Sequence, residues 1–294
     1  MLETVTEAQW REFDANGVVS LGVALGEAEL QTLSRRLDDI MLGKVDDVDF
    51  SRLIMQREGS HQTRGHKGPT LGYRKIQGLE HDPVVISYLQ SPLFRAVGQR
   101  MYSGPVGIYR TMFFNKPTKE ATSTVLHGGS QLGWHQDRWS TLDRDPRITV
   151  YLAIDEASEE NGCMHIVPRS NTLGVVNPQR GAAFLKEDQV PQILEAMPSR
   201  PLPLKPGEIV LLSTLCLHSS GVNVSGTPRR ALSTCLMDGA TRWSAEPGDP
   251  SREPGGDTGC TVLHGTDEIP ARLGDDPETA KAALHVPLDE QAKL

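Results

Sequence analysis

The sequence predicts a mainly β domain with flanking helices, and three observations carry that expectation. From Val106 onward, short apolar, β-branched or aromatic runs alternate with turn residues, the pattern of an antiparallel sandwich or barrel. Residues 1–105 instead show apolar residues at helical spacing, with capping residues where helices would start. A chain of 294 residues also suffices for one large domain with a substantial core. We therefore read residues 1–294 as a single domain with a mainly helical part (1–105), a β core (106–240) and an irregular tail (241–294).

Each element has a local reason. Thr6, with Gln9 three positions on, makes a capping box that opens a short helix through Phe13, and Gly17 stops it. Leu30, Leu33, Leu37, Ile40 and Met41 then recur on one face of a second helix, with Arg35, Arg36, Asp38 and Asp39 largely between them. Asp82-Pro83 and Ser91-Pro92 each set a capping residue before a proline of the first turn, which predicts helical segments over 83–90 and 92–102. Residues 52–81, rich in Gly, Arg, Lys and His without a clear period, are expected as a mobile loop and a possible lid. Strands are expected at 108–115, 148–154, 164–167, 208–214 and 231–237, with turns at Glu159-Glu160-Asn161-Gly162 and Lys205-Pro206-Gly207-Glu208. Beyond about residue 240, runs such as Glu246-Pro247-Gly248-Asp249-Pro250 predict a loosely ordered tail.

Composition excludes several classes of function. A formal charge of −8 opposes a large basic surface for phosphate backbones, so nucleic acid is not an expected partner. No apolar run approaches the length of a membrane span. The first residues carry neither a basic nor an apolar leader region, and a cytoplasmic location is expected. Cys163, Cys216, Cys235 and Cys260 are scattered without a C-x-x-C pair, which fits reduced thiols better than a disulfide framework or zinc knuckle.

The chemistry rests on His135-Gln136-Asp137 and the distant His218. In an extended strand residues i and i+2 share a side about 6.5–7 Å apart, close enough for an imidazole and a carboxylate to meet on one metal. Two histidines and one carboxylate make the facial ligand set of non-haem Fe(II), which leaves positions for oxygen and an organic co-substrate. Alone, the tripeptide is equally a surface turn, and His218, at the end of an apolar run, a core histidine. Arg229 changes the balance, eleven residues after His218 at the start of the next apolar run. A guanidinium grips a carboxylate bidentately, as a co-substrate with one carboxylate on iron and another at its far end requires. That co-substrate is 2-oxoglutarate. One of the adjacent Arg229 and Arg230 is expected to be an ordinary surface cation.

These segments resemble the phytanoyl-CoA dioxygenase family, over roughly residues 8–238. The resemblance rests on the tripeptide, on Arg110 through Pro117, on the 149–157 and 161–170 segments, and on His218 through Ser233. It implies a double-stranded β-helix, the jelly-roll or cupin-like core of Fe(II)/2-oxoglutarate oxygenases. By the family pattern His135, Asp137 and His218 are the iron ligands, and Arg229 binds the distal carboxylate of 2-oxoglutarate. Ser220 supports that carboxylate, and Thr149 is a further helper. Arg110, Met112 and Phe114 are alternatives for one upstream strand position. The implied reaction hydroxylates an unactivated C–H bond of a small metabolite or natural product, while 2-oxoglutarate and O2 become succinate and CO2. Desaturation and ring formation use the same cofactors. Halogenation is disfavoured, because halogenating relatives lack the carboxylate that Asp137 supplies. A cupin-like metal isomerase and a binding protein without turnover are the readings from other classes. Trp134, Trp139, Arg138, Tyr73 and Arg74 are candidates to hold substrate, with a solvated face or plain core as the bland alternative.

Overall fold

The computed structural model describes residues 1–57, 60–118, 131–139, 141–177, 184–244, 258 and 261–264. In chain order the larger elements are α1 (Glu7–Asn16), β1 (Val18–Val23), α2 (Glu27–Leu42), β2 (Ile54–Arg57), β3 (Thr63–Arg64), β4 (Tyr73–Gln77), α3 (Pro83–Leu89), α4 (Pro92–Met101) and β5 (Val106–Lys116). There follow β6 (Leu132–His135), β7 (Ile148–Ala153), β8 (Met164–Ile166), α5 (Gln189–Ala196), β9 (Arg200–Leu202), β10 (Glu208–Ser213), β11 (His218–Ser220), β12 (Arg229–Asp238) and β13 (Thr261–His264).

Local chemistry accounts for the helices. Thr6 and Gln9 form the reciprocal capping box of α1, and Gly17 closes it at φ 74°, a left-handed backbone that glycine adopts without steric cost. In α2 the buried face is Leu33, Leu37, Ile40 and Met41. The Asp82 carboxylate accepts from Val84 N and Val85 N to start α3, whose first residue is a proline.

The strands form two antiparallel sheets. The larger runs β1-β10-β7-β12-β5-β4-β2-β3, with β13 also on β5, and the smaller runs β6-β11-β8-β9. Helices cover one face of the large sheet and the small sheet the other, so β7 is buried along its whole length. Alternation sorts its side chains: Ile148, Val150 and Leu152 join Leu37, Ile40 and Phe94 of the helical layer, while Tyr151 and Ala153 meet Met164 and Ile166 of the small sheet. This is the mainly β jelly-roll core with flanking helices that the sequence predicted.

Two expectations are corrected. Residues 52–81 are not an irregular loop, because β2, β3 and β4 extend the large sheet beyond β5. Tyr73, Met55 and Ile76 are buried there, and the His66 ring packs between Phe50 and Tyr73. The strands are short, and the cationic residues between their apolar anchors hide the alternation. Most of the tail lies outside the described residues, but Thr261–His264 is a strand rather than irregular chain, pairing with the start of β5. Its Thr-Val-Leu run has the β propensity that the surrounding glycines and prolines mask.

Candidate active site

Strand register sets the centre. His135 ends β6 and His218 begins β11, and the two are direct cross-strand partners with ring centroids 4.1 Å apart. Each ring is fixed by its own strand: Nδ1 of His135 bonds to Gly133 O at 2.8 Å and Nδ1 of His218 to Cys216 O at 3.0 Å. With Nδ1 protonated for those bonds, each Nε2 presents its lone pair inward. Burial and the neighbouring His218 push the His135 pKa down, which favours the neutral imidazole that a metal requires.

Asp137 completes the group from just beyond β6. Its backbone N–H donates to Thr214 O at 2.7 Å, and its Oδ2 accepts from Thr149 Oγ1 at 3.0 Å. Oδ1 then faces the rings, 3.7 Å from His135 Nε2 and 3.8 Å from His218 Nε2. The three ligand atoms lie within 4.8 Å of one another. Nitrogen and oxygen ligands each about 2.1 Å from an ion can be up to about 4.2 Å apart, so one ion bridges both measured spacings. Gln136, between His135 and Asp137, turns away. It donates to Gly174 O and Leu215 O and accepts from Val176 N, which anchors the tripeptide to two other segments.

These three groups open onto a cavity of about 100 Å3 between the sheets. Met112, Phe114 and Lys116, alternate residues at the end of β5, line it together with Asn115, and Thr149 and Tyr151 do so from β7. Arg229, 4% exposed, faces it from β12. One of its nitrogens, Nη1, donates to Tyr151 Oη at 2.6 Å, while Nε is buried without a hydrogen-bond partner among the described residues. A buried donor of this kind costs free energy until an acceptor reaches it, and a carboxylate supplies one. The donor set and the guanidinium thus fit a divalent metal together with a dicarboxylate.

Other anticipated residues separate by surroundings. Ser220, Thr149 and Arg74 line the cavity. Tyr73 is fully buried, and its hydroxyl accepts from Lys67 N and donates to Gly68 O. Arg138 pairs with Asp145 at 2.8 Å. Trp139 packs against Tyr109, with ring centroids 4.6 Å apart, and the carbonyl of Trp134 accepts from Leu185 N. Of the three upstream candidates, Met112 and Phe114 line the cavity, whereas the Arg110 guanidinium lies over the Tyr109 ring. Arg230 is no plain surface cation: it pairs with Asp155 and, through Nη1, with Asp38 of α2 at 2.7 Å. Tyr151, Lys116 and Phe184 were missed. The Phe184 ring stacks on His135 at 5.1 Å. Only the polar positions inside apolar strands could have signalled the first two. Cys163, Cys216 and Cys235 are buried thiols without disulfide partners among the described residues, and Cys260 lies outside them. No helix among the described residues is long and apolar enough to cross a membrane.

The fold is similar to that of a solved non-heme alpha ketoglutarate dependent carbocyclase, SnoK from nogalamycin biosynthesis. The TM-score is 0.66 at 17% identity, over 87% of this chain and 94% of that one. Taken together, fold and site define a non-haem Fe(II)/2-oxoglutarate-dependent dioxygenase. The profile of the phytanoyl-CoA dioxygenase (PhyH) family matches residues 13–231, and the chain belongs to that family. Among curated relatives, it is 23% identical over 235 residues to a methylphosphonate hydroxylase of Gimesia maris, covering 79% of this chain and 80% of the relative. It is 31% identical over 183 residues to phytanoyl-CoA dioxygenase domain-containing protein 1 of Mus musculus, a match spanning about half of each chain, 56%.

Proposed function

We propose that this dioxygenase hydroxylates an unactivated C–H bond of a small metabolite or natural product, with His135, Asp137 and His218 holding the iron. Arg229 and Ser220 receive the distal carboxylate of 2-oxoglutarate, and Thr149 steadies Asp137. The single observation that carries this reading is the convergence of three ligand atoms on a cavity whose wall holds a buried guanidinium. Bound Fe(II), with 2-oxoglutarate and oxygen, supplies the oxidising power that side chains lack. The residues do the rest. Tyr151 orients the Arg229 fork by accepting from Nη1, so its other nitrogens are pre-set for a carboxylate. Thr149 occupies Oδ2 of Asp137 and leaves Oδ1 toward the metal. Met112, Met164 and Leu212 present apolar walls that keep water from the reacting C–H bond. The relative named a hydroxylase supports this outcome over desaturation or ring closure.

The test begins without oxygen. Addition of Fe(II) and 2-oxoglutarate is expected to give a weak visible charge-transfer band that His135→Ala and Asp137→Ala abolish along with iron binding. Admitting oxygen with metabolite extracts from the host should yield a compound heavier by one oxygen as succinate accumulates. A fully active double variant refutes the ligand assignment, and a product lighter by two hydrogens replaces hydroxylation with desaturation.

A further inference from the structure

The geometry points to Phe184 as a positioning residue for the metal group: its ring holds the His135 imidazole at the pitch that keeps Nε2 turned inward. The inference rests on the ligand assignment proposed above and adds to it a residue outside the cavity lining.

β6 is an end strand of the small sheet, with β11 paired along one edge, and Phe184 and Leu185 cover the other. Phe184 forms an isolated antiparallel bridge with His135, and Leu185 N donates to Trp134 O at 2.9 Å. His135 is thus the middle of three cross-strand partners, with His218 on one side and Phe184 on the other. Direct partners stand on the same face of a sheet, so the three rings form one row. The separations agree: 4.1 Å from His218 to His135 and 5.1 Å from His135 to Phe184.

The two contacts of His135 differ in kind. The His218 plane is inclined to it by 48°, whereas the Phe184 plane lies within 26° of parallel, a stacked pair. Rotation of an imidazole about its Cβ–Cγ bond is soft, and the hydrogen bond from Nδ1 to Gly133 O holds the ring at one edge only. A flat neighbour restrains the rest. The Phe184 ring also lies beside Gly133, where a Cβ would stand 3.7 Å from Cδ1, so it packs on both partners of that hydrogen bond. Phe184 is itself held in place. Its carbonyl accepts from Asn177 Nδ2 at 2.8 Å, and the residue before Asn177, Val176, donates its N–H to Oε1 of Gln136. Gln136, which gives the metal no ligand, thereby helps to set the ring over its neighbour.

The experiment is titration of the metal-free protein with Co(II), a stand-in for Fe(II), followed by visible absorption. Phe184→Ala should weaken Co(II) about tenfold or more, the usual effect of losing a group that orients a ligand. Phe184→Tyr, which keeps the ring, should stay within about threefold of the parent, and Phe184→Leu, apolar but without a plane, should not. In metal-free protein carrying isotope-labelled histidine, the Phe184 ring current displaces the His135 resonances, so these should move in Phe184→Ala and Phe184→Leu. Affinity of the metal-saturated protein for 2-oxoglutarate should change less than about threefold in every variant. Unchanged Co(II) affinity in Phe184→Ala overturns the proposal, as do His135 resonances that stay in place. A Phe184→Leu variant that binds Co(II) as the parent does overturns it by leaving bulk alone as the cause. Equal loss of Co(II) and 2-oxoglutarate also overturns it, since the site has then loosened as a whole. A parent protein that takes up no Co(II) removes the ligand assignment itself, and the positioning role with it.

Discussion

Arg229 and Arg230 are neighbours in the chain with opposite surroundings. Arg229 faces the cavity against Tyr151, while Arg230 sits on the other face of β12, clamped by Asp155 and Asp38. Strand alternation makes this division unavoidable, and it assigns the two cations different tasks. Arg229→Met should leave iron binding intact but weaken 2-oxoglutarate by 10-fold to 100-fold, the effect of losing one hydrogen-bonded charge, about 1.5–3 kcal/mol. Titration of the charge-transfer band measures it, and unchanged affinity rejects Arg229 as the carboxylate grip. The candidate group of His135, Asp137 and His218 was legible because His-X-Asp has its own spacing signature. Tyr151 and Lys116 were not. Tyr151 lies in Ile148-Thr149-Val150-Tyr151-Leu152-Ala153, a strand buried on both faces, where polar and apolar side chains both point into protein.

At the level of elements, the cross-strand pairing of His135 with His218 depends on neighbours that keep β11 in place. Gly162, at φ 79°, lies beside the exit of β11: a Cβ built there falls 2.6 Å from Gly221 O. Gly162→Ala combines left-handed strain with that clash and is expected to cost about 1–3 kcal/mol in thermal unfolding, with 2-oxoglutarate binding weakened in parallel. Glu80 tests the opposite face of the sheet. Its buried carboxyl accepts from Thr111 N at 3.0 Å, and burial raises its pKa from 4.5 to about 7. Between those values the folded protein holds a proton that the unfolded chain releases, so this group's contribution to stability falls as pH rises through that window. Glu80→Gln should abolish that slope and stabilise the protein at pH 8 by up to about 3 kcal/mol, seen as a higher Tm. A variant whose Tm still falls between pH 5 and 7 as the parent's does excludes Glu80 as the source. The helices were legible because Thr6, Gly17, Asp82 and Ser91 each carry a capping signature, and β5, β7, β10 and β12 because they are long apolar runs. The two- to four-residue strands β3, β6, β9 and β11 were not, since too few residues alternate for a period to register.

For the whole molecule, the two sheets meet across an apolar cluster and at the group of His135, Asp137 and His218. His135 and His218 belong to the small sheet, whereas Asp137 is tied to the large one by Thr149 and Thr214. Binding to the folded state alone stabilises it by about 2.7 kcal/mol at a hundredfold excess over Kd. Iron-loaded protein should therefore melt several degrees above the chelated form, and the difference should vanish in Asp137→Ala; equal melting of both forms of the parent excludes this bridging role. A ferrous ion held there by His135, Asp137 and His218 would work as a rivet through two plates. A cell short of iron would then lose more than turnover: the unfastened sandwich would open more often, proteases would reach it sooner, and the amount of enzyme would track the supply of its own metal.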